Sequence, residues 1–76
     1  MRVQKRPIII DNVHQWFPNG PQLEGVYADA SGTYVVTAHR QRSYITPGDY
    51  IFPEPDGKHF YPVKPDIFSQ FYDVLI

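Results

Sequence analysis

The chain has no cysteine, so neither a disulfide nor a thiolate-held metal can staple it. It lacks any apolar run of membrane-spanning length. The basic opening Met1-Arg2-Val3-Gln4-Lys5-Arg6 is followed by only Pro7-Ile8-Ile9-Ile10 before Asp11, too little for a signal-peptide core. An excess of charge of one sign is missing too. Seven Lys and Arg against eight Asp and Glu leave a formal net charge of −1, which disfavours nucleic-acid binding through phosphate neutralisation. Glycine is scarcer than proline, five against eight, which argues against long helices and for short strands held by fixed turns. Together these absences predict an intracellular, cytoplasmic protein with no membrane contact.

What is present is aromatic. Six Tyr, five Phe and one Trp make up 16% of the 76 residues. One domain, 1–76, is all that this length supports, and a domain so small buries only about 60% of the surface of its unfolded chain. Large rings enlarge a small core; a homo-oligomer is a second source of burial.

The pattern along the chain is mostly β. The β-branched run Ile8-Ile9-Ile10 that follows Pro7 predicts a strand over 6–14. Trp16-Phe17-Pro18-Asn19-Gly20-Pro21 is an irregular loop. A second strand is expected over Gln22–Asp29, with Leu23, Val26 and Tyr27 as apolar positions. Ala30-Ser31-Gly32 turns it into the strand Thr33–Ala38. His39-Arg40-Gln41-Arg42 is a hairpin tip, and Ser43–Thr46 resumes the strand. Pro47-Gly48 suits the centre of a type II turn, where Pro presets φ and Gly supplies a positive φ. Tyr50–Phe52 and Lys58–Val63 are strands around the turn Pro53–Gly57. Lys64–Tyr72 is the one helical piece, with Pro65 near its first position, Asp66 in its first turn and an apolar face of Ile67, Phe68, Phe71 and Tyr72. Asp73–Ile76 can add a last strand. The sum is a small bent antiparallel sheet or an SH3-like partial barrel, with one short C-terminal helical turn.

Three blocks carry a resemblance: Lys5-Arg6-Pro7-Ile8-Ile9-Ile10-Asp11-Asn12-Val13-His14-Gln15-Trp16, then Pro47-Gly48-Asp49-Tyr50-Ile51, then Gly57 through Tyr61-Pro62-Val63-Lys64-Pro65-Asp66-Ile67-Phe68 with Tyr72. In these the chain resembles a group of short phage and prophage proteins of unknown function. It departs from the group at Val63, where members often carry Cys, and in the loops Pro53-Glu54-Pro55-Asp56 and His39-Arg40-Gln41-Arg42. The resemblance implies a phage origin and action in the cytoplasm of a bacterial host; it implies no activity. The two divergent loops are where a partner of this particular chain would be encoded.

The residues hold no catalytic signature, and no cofactor is implied. His14, His39 and His59 are far apart in sequence, whereas zinc takes about four ligands at close, recognisable spacings. Asp49, Glu54, Asp56 and Asp66 all sit where turns or a helix start can use them. The serines have no nucleophile-elbow context. The candidate binding residues are His39, Arg40 and Arg42, with Lys58 and His59 nearby, as a local basic patch suited to an anion or an acidic protein face. Its plain alternative is a solvated hairpin tip. If Tyr34, Tyr44 or Tyr61 flank the patch, stacking becomes available to it. Trp16 and Phe17 are neighbours that point opposite ways when extended, so one can be core while the other is an exposed anchor. The expected function is a non-enzymatic phage-derived binder that docks on and inhibits a host protein or defence component. The alternatives are an oligomeric sponge for a small nucleotide-like anion and a minor virion component.

Overall fold

The Pro-Gly turn and the strand behind it organise the molecule. A computed structural model describes residues 1–5 and 7–75. In chain order its elements are β1 (Val3–Lys5), β2 (Ile8–Ile10), β3 (His14–Gln15), β4 (Val26–Asp29), β5 (Gly32–Val36), β6 (Arg42–Tyr44), β7 (Tyr50–Pro53), β8 (Phe60–Val63), α1 (Pro65–Phe71) and β9 (Asp73–Val74). They form three antiparallel three-stranded sheets, β2-β1-β9, β3-β7-β8 and β4-β5-β6. The protein is mostly β with one short C-terminal helix, as its turn spacing predicts. The antiparallel structure is divided among three small sheets, and no closed barrel forms among the described residues.

The division follows from strand β7. Its side chains alternate, as strand geometry requires, but both faces are covered. Phe52 is fully buried among Val3, Val13, Val63 and Phe68, with Tyr50 packed alongside. Ile51 points the other way, into a second cluster with Val26, Val35 and Ile45. The β3-β7-β8 sheet is thus the wall between two half-cores. One lies under β1 and α1, the other under the β4-β5-β6 sheet. Each fully buried side chain of this size contributes roughly 1.5–3 kcal/mol, against a cost of roughly 1.5 kcal/mol for every residue ordered, so neither half-core suffices alone.

The Pro-Gly turn joins the wall to the helix. Asp49 N donates to Thr46 O at 3.1 Å, and Gly48 takes φ 91°, as a type II turn demands. Asp49 is completely buried. Its carboxylate accepts from Thr46 N at 2.9 Å, from Thr46 Oγ1 at 3.2 Å and from Lys64 Nζ at 3.0 Å. Lys64 is the residue before Pro65, which opens α1. Tyr50 then stacks face to face on Phe68 of that helix, with centroids 3.6 Å apart. Two of the three resemblance blocks therefore meet as one staple, and their conspicuous residues have structural work there.

Several boundaries differ from expectation. The strand expected over 6–14 is two strands, β2 and β3, separated by Asp11–Val13, and Arg6 lies outside the described residues. Asn12 takes φ 63°. Val3 faces Ile10, yet Met1 exchanges backbone hydrogen bonds with Val13. One extra residue on the second strand makes this a β-bulge, which bends the chain away from its hairpin. The second strand starts at Val26 because Gly25 takes φ 80°, outside the extended region; a Cβ at that position would come within 2.3 Å of the Phe60 ring, so it must be glycine. Thr33–Ala38 ends at Val36, Lys58–Val63 begins at Phe60, and Arg42 already belongs to β6. Of the four residues expected on the apolar face of the helix, only Phe68 is buried. Tyr72 is half-buried, while Ile67 and Phe71 are exposed. Ile76 of the expected last strand lies outside the described residues.

Candidate functional site

Register decides which side chains leave the core. In the β4-β5-β6 sheet Val26 faces Val35 and Tyr27 faces Tyr34, while Tyr34 also faces Tyr44. Directly opposed residues share a face. Val26, Val35 and Ile45 take the inner side, so Tyr27, Tyr34, Tyr44, Asp29 and Arg42 take the outer one. Tyr27 is thereby 56% exposed rather than an apolar core position. The rings form a cross-strand row, with centroids 5.9 Å apart for Tyr27–Tyr34 and 5.7 Å for Tyr34–Tyr44.

Arg42 is fixed on this row in two directions. Its guanidinium lies 4.6 Å from the centre of the Tyr34 ring, and its Nη1 donates to Asp29 Oδ2 at 2.6 Å. Tyr44 Oη donates to the same carboxylate oxygen at 2.6 Å. The other oxygen accepts from Ser31 N and Gly32 N across the β4–β5 turn. The Tyr44 hydroxyl, then the Ser31 amide and Arg42, hold the Asp29 carboxyl below the usual aspartate range. Asp29 thus shapes the turn, orders Tyr44 and neutralises Arg42. The result is a pre-set aromatic platform of nearly balanced charge.

His39 and Arg40 sit beyond it, on the β5–β6 turn. Arg40 N donates to Thr37 O at 2.8 Å, and Thr37 N to Gln41 O at 3.0 Å. This is a three-residue hairpin loop whose last position is left-handed. Arg40 occupies that position at φ 61°, where glycine is usual. The neighbouring loop supports the tip: Glu54 Oε2 accepts from Ala38 N at 2.7 Å. Within that loop Asp56 accepts from Lys58 N, His59 N and His59 Nδ1, which lowers its pKa to about 2, chiefly through the His59 ring. The Ala38–Glu54 bond thus ties the base of one divergent loop to the other.

Trp16 and Phe17 divide as their adjacency implies. Trp16 is half-buried against Val26, Val35 and Ile51 as a group, and Phe17 is 48% exposed. Both line a hollow of about 190 Å³ whose rim includes Tyr27. The sequence-chosen residues thus fall at two borders of one surface: Trp16 and Phe17 meet the tyrosine row at Tyr27, and Arg42 lies on its centre. His39 and Arg40 are on the tip, separate from Arg42's ion pair. Tyr34 and Tyr44 do flank Arg42, whereas Tyr61 is turned to the other half-core beside Phe52. Sequence reasoning missed Asp29 and the outward role of Tyr27. The signal for both was parity: one inward valine, Val26 or Val35, sets every other side chain on its strand.

No protein-family model, curated protein or solved structure matches the chain. Chemistry must be judged from the residues themselves. No group of three or more His, Asp or Glu side chains gathers among the described residues. A hollow of about 330 Å³ is lined by the apolar Leu23, Ile51, Pro53 and Phe60 and by Asn12, His14, Glu24 and Gly57. Among the described residues no helix is long and apolar enough to cross a membrane.

Proposed function

We propose that this chain is a non-enzymatic protein-binding module. Its docking face is the outer side of the β4-β5-β6 sheet, bordered by Phe17 and by the His39–Arg40 tip. The observation that carries this reading is the Tyr27–Tyr34–Tyr44 row, exposed at Tyr27 and Tyr44 and half-buried at Tyr34, with Arg42 clamped upon it. Tyrosine and arginine dominate the energetics of protein interfaces, and side chains already fixed lose less freedom on binding. Balanced charge at Arg42 and Asp29 favours a protein surface over a polyanion. An anion-sponge role would rest on His39 and Arg40, because Arg42 already has its carboxylate. With the phage resemblance, the partner is a host protein in the bacterial cytoplasm, and docking inhibits it.

Affinity purification from host cells tests this with paired baits. The wild-type chain should retain one stoichiometric protein, which a Tyr34→Ala/Tyr44→Ala bait loses while keeping its β-sheet circular dichroism. The same protein, purified, should be inhibited by the wild type only. Equal capture by both baits removes the tyrosine face from the reading.

A further inference from the structure

At the far side of the molecule from the tyrosine row, we infer a second interface, which takes another copy of this chain. In the β2-β1-β9 sheet, β2 is an edge strand, and an edge presents a row of backbone donors and acceptors with no partner in the sheet. Natural edges are usually protected by charge, a bulge or a cover. Here the edge is Ile8-Ile9-Ile10, with Ile8 59% and Ile9 53% exposed. No charged side chain lies within the strand itself. The bulge comes only after it, at Asn12.

Two features select a second copy as the occupant. The first is register. Antiparallel pairing of two β2 strands about a two-fold axis through Ile9 puts Ile9 against Ile9 and Ile8 against Ile10. Asp11 then falls opposite Pro7, so no like charges meet, and Asp11 is already paired to Arg2 at 2.7 Å within its own chain. A self-complementary patch of this kind is what an isologous dimer needs. The second is area. A monomer of 8.8 kDa is expected to expose about 4800 Å², whereas this chain exposes 5336 Å². This excess of about 500 Å² per chain is a property of the whole surface, and it is surface that a second copy would cover in part. Apolar surface continues from the edge: Lys5, opposite Ile8, holds its ammonium 5.5 Å from the centre of the exposed Phe71 ring. Pairing produces one continuous sheet, β9-β1-β2 followed by β2-β1-β9 of the second copy. The dimer would carry two tyrosine faces, and a bivalent module gains apparent affinity for a multimeric partner without any new contact.

The cysteine-free sequence makes the test clean. Sedimentation equilibrium at tens of micromolar should give a mass twice the 8.8 kDa of one chain. Ile9→Lys should weaken the dimer by about 100-fold, since it sets two ammonium groups face to face. Tyr34→Ala, on the opposite sheet, should leave it dimeric. Should Ile9→Lys fold poorly, Ile9→Cys still decides the matter. Two Ile9 positions paired across a sheet have Cα atoms about 5 Å apart, within disulfide reach, so mild oxidation should cross-link this variant rapidly and Tyr27→Cys only slowly. A wild-type chain of single mass, higher oligomers without a dimer, or equal cross-linking rates for the two cysteine variants would overturn the inference. None of these readouts depends on the tyrosine face binding anything.

Discussion

Arg40 and Asp49 show how differently one residue can be held. Arg40 occupies a left-handed position with φ 61°, and a non-glycine residue there costs about 1 kcal/mol or more. Among the described residues no side-chain hydrogen bond of Arg40 offsets this; the turn is supported instead through its backbone, by Glu54. Arg40→Gly should therefore stabilise the fold by about 0.5–1 kcal/mol, a rise of roughly 2–8 °C in Tm for a domain of this size. If the tip contributes to docking, the same variant should bind the captured host protein more weakly, and a thermal melt beside a binding titration reads both. Asp49 is the opposite case. It is fully buried, and three donors point at its carboxylate. Asp49→Ala strands the Thr46 amide and frees the Pro-Gly turn from the helix, so about 2–4 kcal/mol should be lost in urea unfolding. Lys64→Ala should cost only about 1 kcal/mol, because the lysine is half-exposed and its contribution is screened by water. Equal losses for the two variants would show that the ion pair, rather than the turn, is what the carboxylate holds.

At the scale of elements, the loop between β7 and β8 has a built-in acid response. Asp56 binds two amides and the His59 ring, and its pKa falls from an ordinary value of 3.8 to about 2. A depressed carboxyl stabilises the fold at pH values above its unfolded pKa, and that contribution disappears as pH falls through the folded one. Stability should hold down to about pH 4 and decline towards pH 2, and Asp56→Asn should flatten the decline. Asp29, also held low, adds to the same slope, so part of it should survive in the Asp56 variant. Much of this element plan was legible from sequence. Proline, glycine and aspartate at 47–49 and 53–57 fixed both turns, and Pro65-Asp66 fixed the helix start, since each acts through its own backbone. What was not legible depended on distant residues. Three isoleucines suggested one long strand over 6–14, but nothing local reveals that Asn12 is bulged opposite Met1. Gly25 breaks the extended run before β4 with its positive φ, and the residue that demands a glycine there is Phe60, thirty-five positions on. Shifting the start of that strand hid the parity that turns Tyr27 outward, and with it the candidate face.

The whole molecule measures 38 × 26 × 19 Å, and its stability rests on two small hydrophobic clusters placed back to back. Proteins of this size have little margin, and an arrangement of two separate cores would let one end open while the other stayed folded. The β3-β7-β8 sheet argues against that. Ile51 and Phe52 are adjacent in one strand and serve opposite cores, so losing either cluster removes the support on one side of the same strand. The expected behaviour is a single cooperative unit. Val35→Ala, a truncation in the cluster under the tyrosine face, should cost about 2–3 kcal/mol. Native-state hydrogen exchange should then show the slowest amides of β1 and β8 losing protection by the same amount as those of β5, although β1 makes no part of Val35's cluster. A loss confined to β4, β5 and β6, with β1 and β8 unchanged, would mean that the two halves open independently and that the docking face can fluctuate without cost to the rest.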